Sequence, residues 1–330
     1  MAAREITFRE AICEALREEM LRDERVLILG ENVADGPGGY GGAFSVTKGL
    51  VQDFSDRLLD TPIIEQTIVA ASVGAAMTGL RPVPELMYED FVTLAMEPLV
   101  NLAAKKYYTT GGQYCVPMVV RAPCGATGSG PAHSQTWTSW FMHVPGLYLV
   151  FPSTPYDAKG LLKTAIRNNN PVLFLEHKRL YSVRGDVPEQ EYLIPFGQAR
   201  VLCPGDDITV VAIGYMAHLA VEVTAALRER GLSVEVLDPR TLAPLDLDMI
   251  VQSVRKTHKV VLVAEDCRTA GPTAEIAAAI AESAFEYLDA PIIRVGAKDS
   301  IIPHNAGMAK YVIPGAVQIE EAVQRVANWV

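Results

Sequence analysis

Two hydrophobic rhythms alternate along the chain. Compact apolar runs at 25–30 (RVLILG), 83–87, 116–121 (VPMVVR), 148–151 and 172–176 have the length of buried strands. Between them, apolar residues recur at helical spacing. Residues 70–79 are small and apolar, which suits a buried helix that lets neighbouring backbones approach closely. Residues 94–106 end in two lysines, which suit the negative end of a helix dipole. Residues 157–168 have Ser153 or Thr154 to cap them, and 168–170 with Pro171 to stop them.

The rhythm fails over 182–206, where prolines, glycines and mixed charges crowd together; this stretch reads as a crossover linker. It then resumes. Strands are expected at 208–213, 233–237, 259–265 and 291–295. Helices are expected at 217–230, stopped by Gly231, and at 246–256 and 273–288. Strands alternating with helices of this length predict an α/β fold of two parallel-sheet domains with helices on both faces. The division is placed between 1–190 and 191–330.

Composition narrows the function. The 330 residues are 49% hydrophobic and 21% charged, as a folded chain requires. The net charge of −10 repels phosphate backbones and argues against nucleic acid as a partner. No apolar run reaches the ~18 residues of a membrane helix. The opening MAAREITFREAICEAL is charged and helix-patterned, without a signal-peptide core. Five cysteines with no C-x-x-C point to reduced thiols and a cytoplasmic protein.

Three segments carry candidate chemistry. In DTPIIEQ, Glu65 opens the small-residue helix. It is either a carboxylate favoured by the helix dipole, in effect a cap, or an acid-base group beside a buried ligand. The segment 85–91 (ELMYEDF) follows a strand end, where open α/β sheets place ligands; Tyr88 and Phe91 there are either core aromatics or ligand walls. The segment 123–135 (PCGATGSGPAHSQ) is a Gly-rich loop ending in His133, a residue suited to proton transfer near neutral pH. The other five histidines have no comparable context. The stretch 36–41 (GPGGYG) formally matches G-x-G-x-x-G, but it lies beyond the strand end and contains Pro37, so a surface loop is the better reading.

Taken together, ITFREA, YGGAF, DTPIIEQ, GAAMTGLRPVPEL, AAKKYYTTGG, AHSQ, PSTPYDAKGLLKTAIRNNNPV, FLEHKRLY, DPRTLAPLD and LDAPIIRV span nearly the whole chain. In this order they resemble the beta subunit of the thiamine-diphosphate-dependent, decarboxylating first component of 2-oxo acid dehydrogenase complexes. Pyruvate, branched-chain and acetoin types belong to that group. The resemblance implies an N-terminal transketolase-type pyrimidine-binding domain and a C-terminal transketolase-type domain. It implies that Glu65 bonds the aminopyrimidine ring of thiamine diphosphate, that Ile63, Met87 and Phe91 wall that ring, and that His133 assists acyl transfer to a lipoyl group. No G-D-G motif for the diphosphate and Mg²⁺ is present, so those ligands are expected from an alpha subunit in an α2β2 heterotetramer. A lipoyl acyltransferase is the expected further partner.

Departures qualify the resemblance. The loop 34–39 is longer than expected, and Thr67 and Ala70 stand where relatives often carry Gly. A potassium site found in some relatives maps to Met118, Ala165, Ile166, Asn168 and Asn170. Asn168 replaces an aspartate there, which weakens the site because hard cations favour charged oxygens. The bulky TWTSW after the histidine segment suggests a changed substrate channel. It motivates the alternative of a biosynthetic relative that transfers a two-carbon unit to a carrier-protein thiol. A non-catalytic subunit fits poorly with Glu65 and His133 both standing in their motifs.

Overall fold

The computed structural model describes residues 3–34 and 41–329, so most of the 36–41 glycine motif, Tyr40 included, lies outside it. The chain forms two compact units. One comprises Met1–Cys124 and Phe141–Phe196; the other comprises Gly125–Trp140 and Gly197–Val330. The sequence rhythm placed the join at 190–191, whereas contacts keep 191–196 with the first unit and give 125–140 to the second. A break in rhythm marks a linker, but it cannot reveal a loop that folds into a later part of the chain.

The first unit opens with β1 (Ala3–Thr7). Thr7 then caps α1 (Phe8–Arg22): its hydroxyl accepts from the Glu10 amide, and Glu10 accepts from the Thr7 amide. β2 (Val26–Gly30) is buried along its whole length. After α2 (Val51–Phe54) and β3 (Leu58–Asp60) comes α3 (Glu65–Met77), then β4 (Arg81–Glu85). The helix expected at 94–106 is broken up. A 3₁₀ segment covers Glu89–Ala95, a π-helix covers Glu97–Ala103, and only α4 (Ala104–Thr109) is α-helical. Pro98 stands in the first turn of the π segment, where its missing N–H breaks the regular ladder.

β5 (Val119–Cys124), the short α5 (Thr138–Met142), β6 (Tyr148–Val150), α6 (Pro155–Arg167) and β7 (Val172–His177) follow. The strands of this unit pair in parallel in the order β6, β7, β5, β4, β2, β3. Strands covered on both faces read as unbroken apolar runs, which is why the sequence announces them. Thr154 caps α6, accepting from the Asp157 amide. α6 packs on α1 with two buried lysines: Lys159 reaches Glu14 at 2.9 Å and Glu18 at 2.7 Å, and Lys163 also pairs with Glu18. Part of the stretch read as linker is β8 (Arg184–Pro188), antiparallel to β1. Its partner lies at the other end of the unit's sequence, so no local pattern announces it.

In the second unit, β9 (Arg200–Cys203) lies antiparallel on one edge of a sheet. β10 (Ile208–Ala212), α7 (Tyr215–Glu229), β11 (Val234–Asp238), the short β12 (Thr241–Ala243) and α8 (Leu247–Thr257) come next. β13 (Val260–Cys267), α9 (Pro272–Ala284), β14 (Ile293–Ala297), α10 (Ala306–Val312) and α11 (Ala316–Ala327) complete it. The sheet order is β14, β13, β10, β11, β9. Val210, Val236 and Val263 of the sheet form one core with Ile319, Val323 and Val326 of α11. α10 and α11 lie beyond residue 295, past the last element the spacing predicts. All five cysteines are free thiols. None of the described helices is long and apolar enough to cross a membrane.

Candidate active site

β2, β3 and β4 are neighbours and parallel, with Gly30 level with both Asp60 and Glu85. Glu31, the 61–65 approach to α3 and the 86–91 segment therefore all leave the same edge of the sheet. Parallel α/β sheets place ligands along such C-terminal edges. The Thr61 amide donates to Gly30 O at 3.0 Å, tying the approach of α3 to the end of β2.

Glu65 is the first residue of α3 and is 6% exposed. The cap position belongs to Ile64, whose side chain makes no capping bond. The Glu65 carboxylate is thus not the cap. It sits in the first turn, where the free amides and the dipole favour negative charge, and it makes no hydrogen bond within the described residues. Nearby Glu31, also buried, has its pKa raised, first by burial and then by the charge of Glu65. Sequence reasoning missed Glu31, because nothing in LILGEN marks its carboxylate as facing one 34 positions away.

The expected walls are unequal. Ile63 is 75% exposed, while Met87 and Phe91 are half-buried. Phe91 meets Tyr88 edge-on at 5.6 Å, Tyr88 meets Phe44 edge-on at 5.8 Å, and Phe44 stacks on Tyr181 at 5.1 Å. Lys178 lies 4.9 Å from the Tyr88 ring centre. Behind these rings is a buried ionic network. Arg121 on β5 grips Glu176 of β7 with two bonds, 2.7 and 2.9 Å, and reaches Glu85 of β4 at 2.5 Å. The Tyr181 hydroxyl donates to Glu176 at 2.7 Å. Burial opposes the Arg121 charge, but Glu176 and Glu85 outweigh it and hold its pKa above the ordinary value. Burial raises the pKa of Glu85 although Arg121 opposes the shift, and burial with the Glu176 charge pushes the Tyr181 hydroxyl well up. The only sequence signal for this network is a lone charge inside two apolar strands, VVRAPC and VLFLEH.

Among the residues expected to bind potassium, the carbonyls of Met118, Ile166 and Asn168 accept hydrogen bonds from the protein. Arg81 of β4 donates to Ile166 O at 2.7 Å, to Asn168 O at 2.5 Å and to Asn169 Oδ1 at 3.2 Å. Asn168 Oδ1 accepts from both the amide and the side chain of Asn170. Met118 O accepts from the Val172 amide at 2.9 Å. A guanidinium already serves two of the five expected oxygen donors.

His133 belongs to the second unit, in the segment Gly125–Trp140. The Gly125 amide donates to Gln135 O at 3.0 Å, and the Gln135 side chain donates back to Pro131 O, so the loop closes on itself. Gly128 and Gly130 take positive φ, at 88° and 83°. A side-chain carbon at Gly130 would press on the ring of His304, a residue the sequence did not single out. Trp137 and Trp140 stack at 4.8 Å. Beneath the segment lie Glu265 and Asp266 at the end of β13. The Ala126 amide donates to Glu265 at 2.7 Å, and both the amide and hydroxyl of Thr138 donate to Asp266 Oδ1 at 2.8 Å. Burial, followed by the Glu265 charge, pushes the Asp266 carboxyl up to about 7 against the bonds from Thr138.

Two family models match the chain: the pyrimidine binding domain of transketolase over residues 4–184, and the C-terminal domain of transketolase over 197–319. A solved split-gene transketolase, described as an inactive beta4 tetramer, shares the fold with a TM-score of 0.80 at 22% identity, covering 98% of this chain and 99% of that one. The chain is 43% identical to the beta subunit of the acetoin:2,6-dichlorophenolindophenol oxidoreductase of Cupriavidus necator, covering 98% of each protein. It is 44% identical to the pyruvate dehydrogenase E1 component subunit beta of Rickettsia felis, covering 98% of this chain and 99% of the relative. With the transketolase-type domains in order along it, this chain belongs to the family of pyruvate and acetoin dehydrogenase E1 beta subunits.

Proposed function

We propose that the chain is the beta half of a cytoplasmic thiamine-diphosphate-dependent enzyme that decarboxylates a 2-oxo acid or acyloin substrate and passes the acyl group to a lipoyl carrier. The observation that carries this reading is Glu65: a buried carboxylate, without a hydrogen-bond donor among the described residues, at the ligand edge of a parallel sheet. Such a group fits a protonatable heterocycle, which supplies a donor that the described residues do not. When bound, the cofactor supplies the electron sink for loss of carbon dioxide.

The chain's own residues divide the remaining work. Glu65 holds and charges the ring nitrogen of the aminopyrimidine. Glu31 lies beside it, its pKa raised by burial and by the Glu65 charge. Ile63, Met87 and Phe91 supply apolar walls, with Phe91 braced by Tyr88 and Phe44. His133 donates or accepts a proton during acyl transfer.

Among the described residues no group of three or more His, Cys, Asp or Glu could hold a metal ion. The chain carries no G-D-G motif, and on that ground the Mg²⁺ and diphosphate ligands are assigned to an alpha subunit. The proposed potassium site does not fit a second cation well, because the Arg81 guanidinium already lies on its carbonyls. The test of the reading is reconstitution with an alpha subunit: substrate-dependent carbon dioxide release and acylation of a lipoyl domain support it. Transfer to a carrier-protein thiol in place of the lipoyl domain would favour the biosynthetic alternative.

A further inference from the structure

β13 carries an irregularity where it is chemically richest. Its ladder with β14 pairs Val263 with Val295 and next Cys267 with Ala297, so three residues on β13 oppose one on β14. Those three are Ala264, Glu265 and Asp266. In a regular strand, adjacent side chains point to opposite faces. A bulge re-aims them and is favoured beside functional sites. Here Glu265 and Asp266, consecutive in sequence, both reach the segment Gly125–Trp140.

They grip it near its two ends. Glu265 accepts from Ala126, the second residue of the segment, at 2.7 Å; Asp266 accepts twice from Thr138, two residues before its end. Ala126, Thr138, Glu265 and Asp266 are all buried. Backbone packs closely around Asp266: a side-chain carbon on Gly296 would lie 3.0 Å from Asp266 O, and one on Gly271 would lie 3.5 Å from Asp266 Cβ. The hydroxyls of Ser134 and Thr136 are buried without a partner, as is Asp266 Oδ2. The two carboxylates thus hold the segment that presents His133 near both of its ends.

We propose that Glu265 and Asp266 are positioning residues that fix both ends of the His133 segment for acyl transfer. The inference rests on the assignment of acyl transfer to His133. The grip itself is testable without that assignment. Thr138 uses both its donors on one carboxylate oxygen, so the grip tolerates a neutral acceptor: Asp266→Asn keeps it, whereas Asp266→Ala removes it.

The experiment measures amide hydrogen exchange across 125–140 in the reconstituted complex of this chain with its alpha subunit, together with lipoyl-domain acylation. Asp266→Ala is expected to speed exchange at Thr138 and its neighbours tenfold or more, while β10 and α11 keep the parental rate. kcat for acylation is expected to fall at least tenfold with KM for the lipoyl domain within threefold. Asp266→Asn is expected to restore both loop protection and kcat to within about threefold. If Asp266→Ala does not fold, Thr138→Val, which removes only the hydroxyl, is expected to show the same pattern at smaller amplitude. Loop exchange that stays parental in the folded variant, or exchange that rises equally throughout the second unit, would overturn the grip. Loosened loop exchange with unchanged acylation would leave the grip standing and overturn its role in the reaction, while His133→Ala in the same assay separately tests the acyl-transfer role of His133.

Discussion

Arg121 and Glu176 face each other across neighbouring strands as a two-pronged, fully buried ion pair, with bonds of 2.7 and 2.9 Å. The pair lies behind the aromatic contacts that brace Phe91, since Tyr181 bonds Glu176 and stacks on Phe44. A buried pair costs desolvation that its attraction only partly offsets, but removing one partner strands the other. Arg121→Met leaves Glu176 and Glu85 buried without their cation. Unfolding in urea is expected to show a loss of about 3–5 kcal/mol. A loss below about 1 kcal/mol would mean that the two carboxylates simply protonate at little cost.

Glu65→Gln keeps the shape of the side chain and removes its charge. With an alpha subunit present, the rate of decarboxylation is expected to fall on the order of 10²–10⁴-fold, as for other acid-base groups. Cofactor affinity, followed by calorimetry on the complex, should fall much less. Near-parental turnover would reduce Glu65 to a charge on a helix dipole.

His133→Ala separates two half-reactions. Acylation of a lipoyl domain is expected to drop by tenfold or more relative to decarboxylation read with an artificial electron acceptor. Both are measured beside the melting temperature. An unchanged ratio defeats the acyl-transfer role even if the protein melts normally.

The Asp266 carboxyl titrates near 7 in the folded chain and near its ordinary 3.8 when unfolded. Between those values the native state binds the extra proton, so this group's contribution to stability falls as pH rises from about 4 to about 7 and is flat above. Asp266→Asn lacks that dependence. The melting temperature of the variant minus that of the parent is therefore expected to grow over this window and level off above it. A difference constant from pH 4 to 8 would contradict the raised value.

Arg81 supplies the positive charge on the carbonyls of Ile166 and Asn168. Melting is expected to be the same in potassium and sodium chloride at equal ionic strength. Arg81→Gln is expected to lower stability by a few kcal/mol, as for other broken buried charge networks. A specific stabilisation by potassium in the parent would restore the metal to this loop.

The sequence determined the alternation of strands and helices, because elements buried on both faces must be apolar throughout and their ends must be capped. It also marked Glu65 and His133, the first by its place before a small-residue helix and the second by a Gly-rich approach that packing alone does not explain. Of the two caps the sequence offers for α6, Ser153 and Thr154, the structure uses Thr154. What the tertiary structure decided is every relationship between residues distant in the chain. The β1–β8 ribbon, the proximity of Glu31 to Glu65, the Arg121 network and the Arg81 contacts all join segments whose local patterns carry no record of the partner. The same holds for the assignment of 125–140 to the second unit and for the bulge that turns Glu265 and Asp266 toward it. Hydrophobic period fixes which face of an element is buried. Which elements then meet, and which polar groups find partners there, is settled by packing and by the cost of leaving a buried donor or acceptor unpaired.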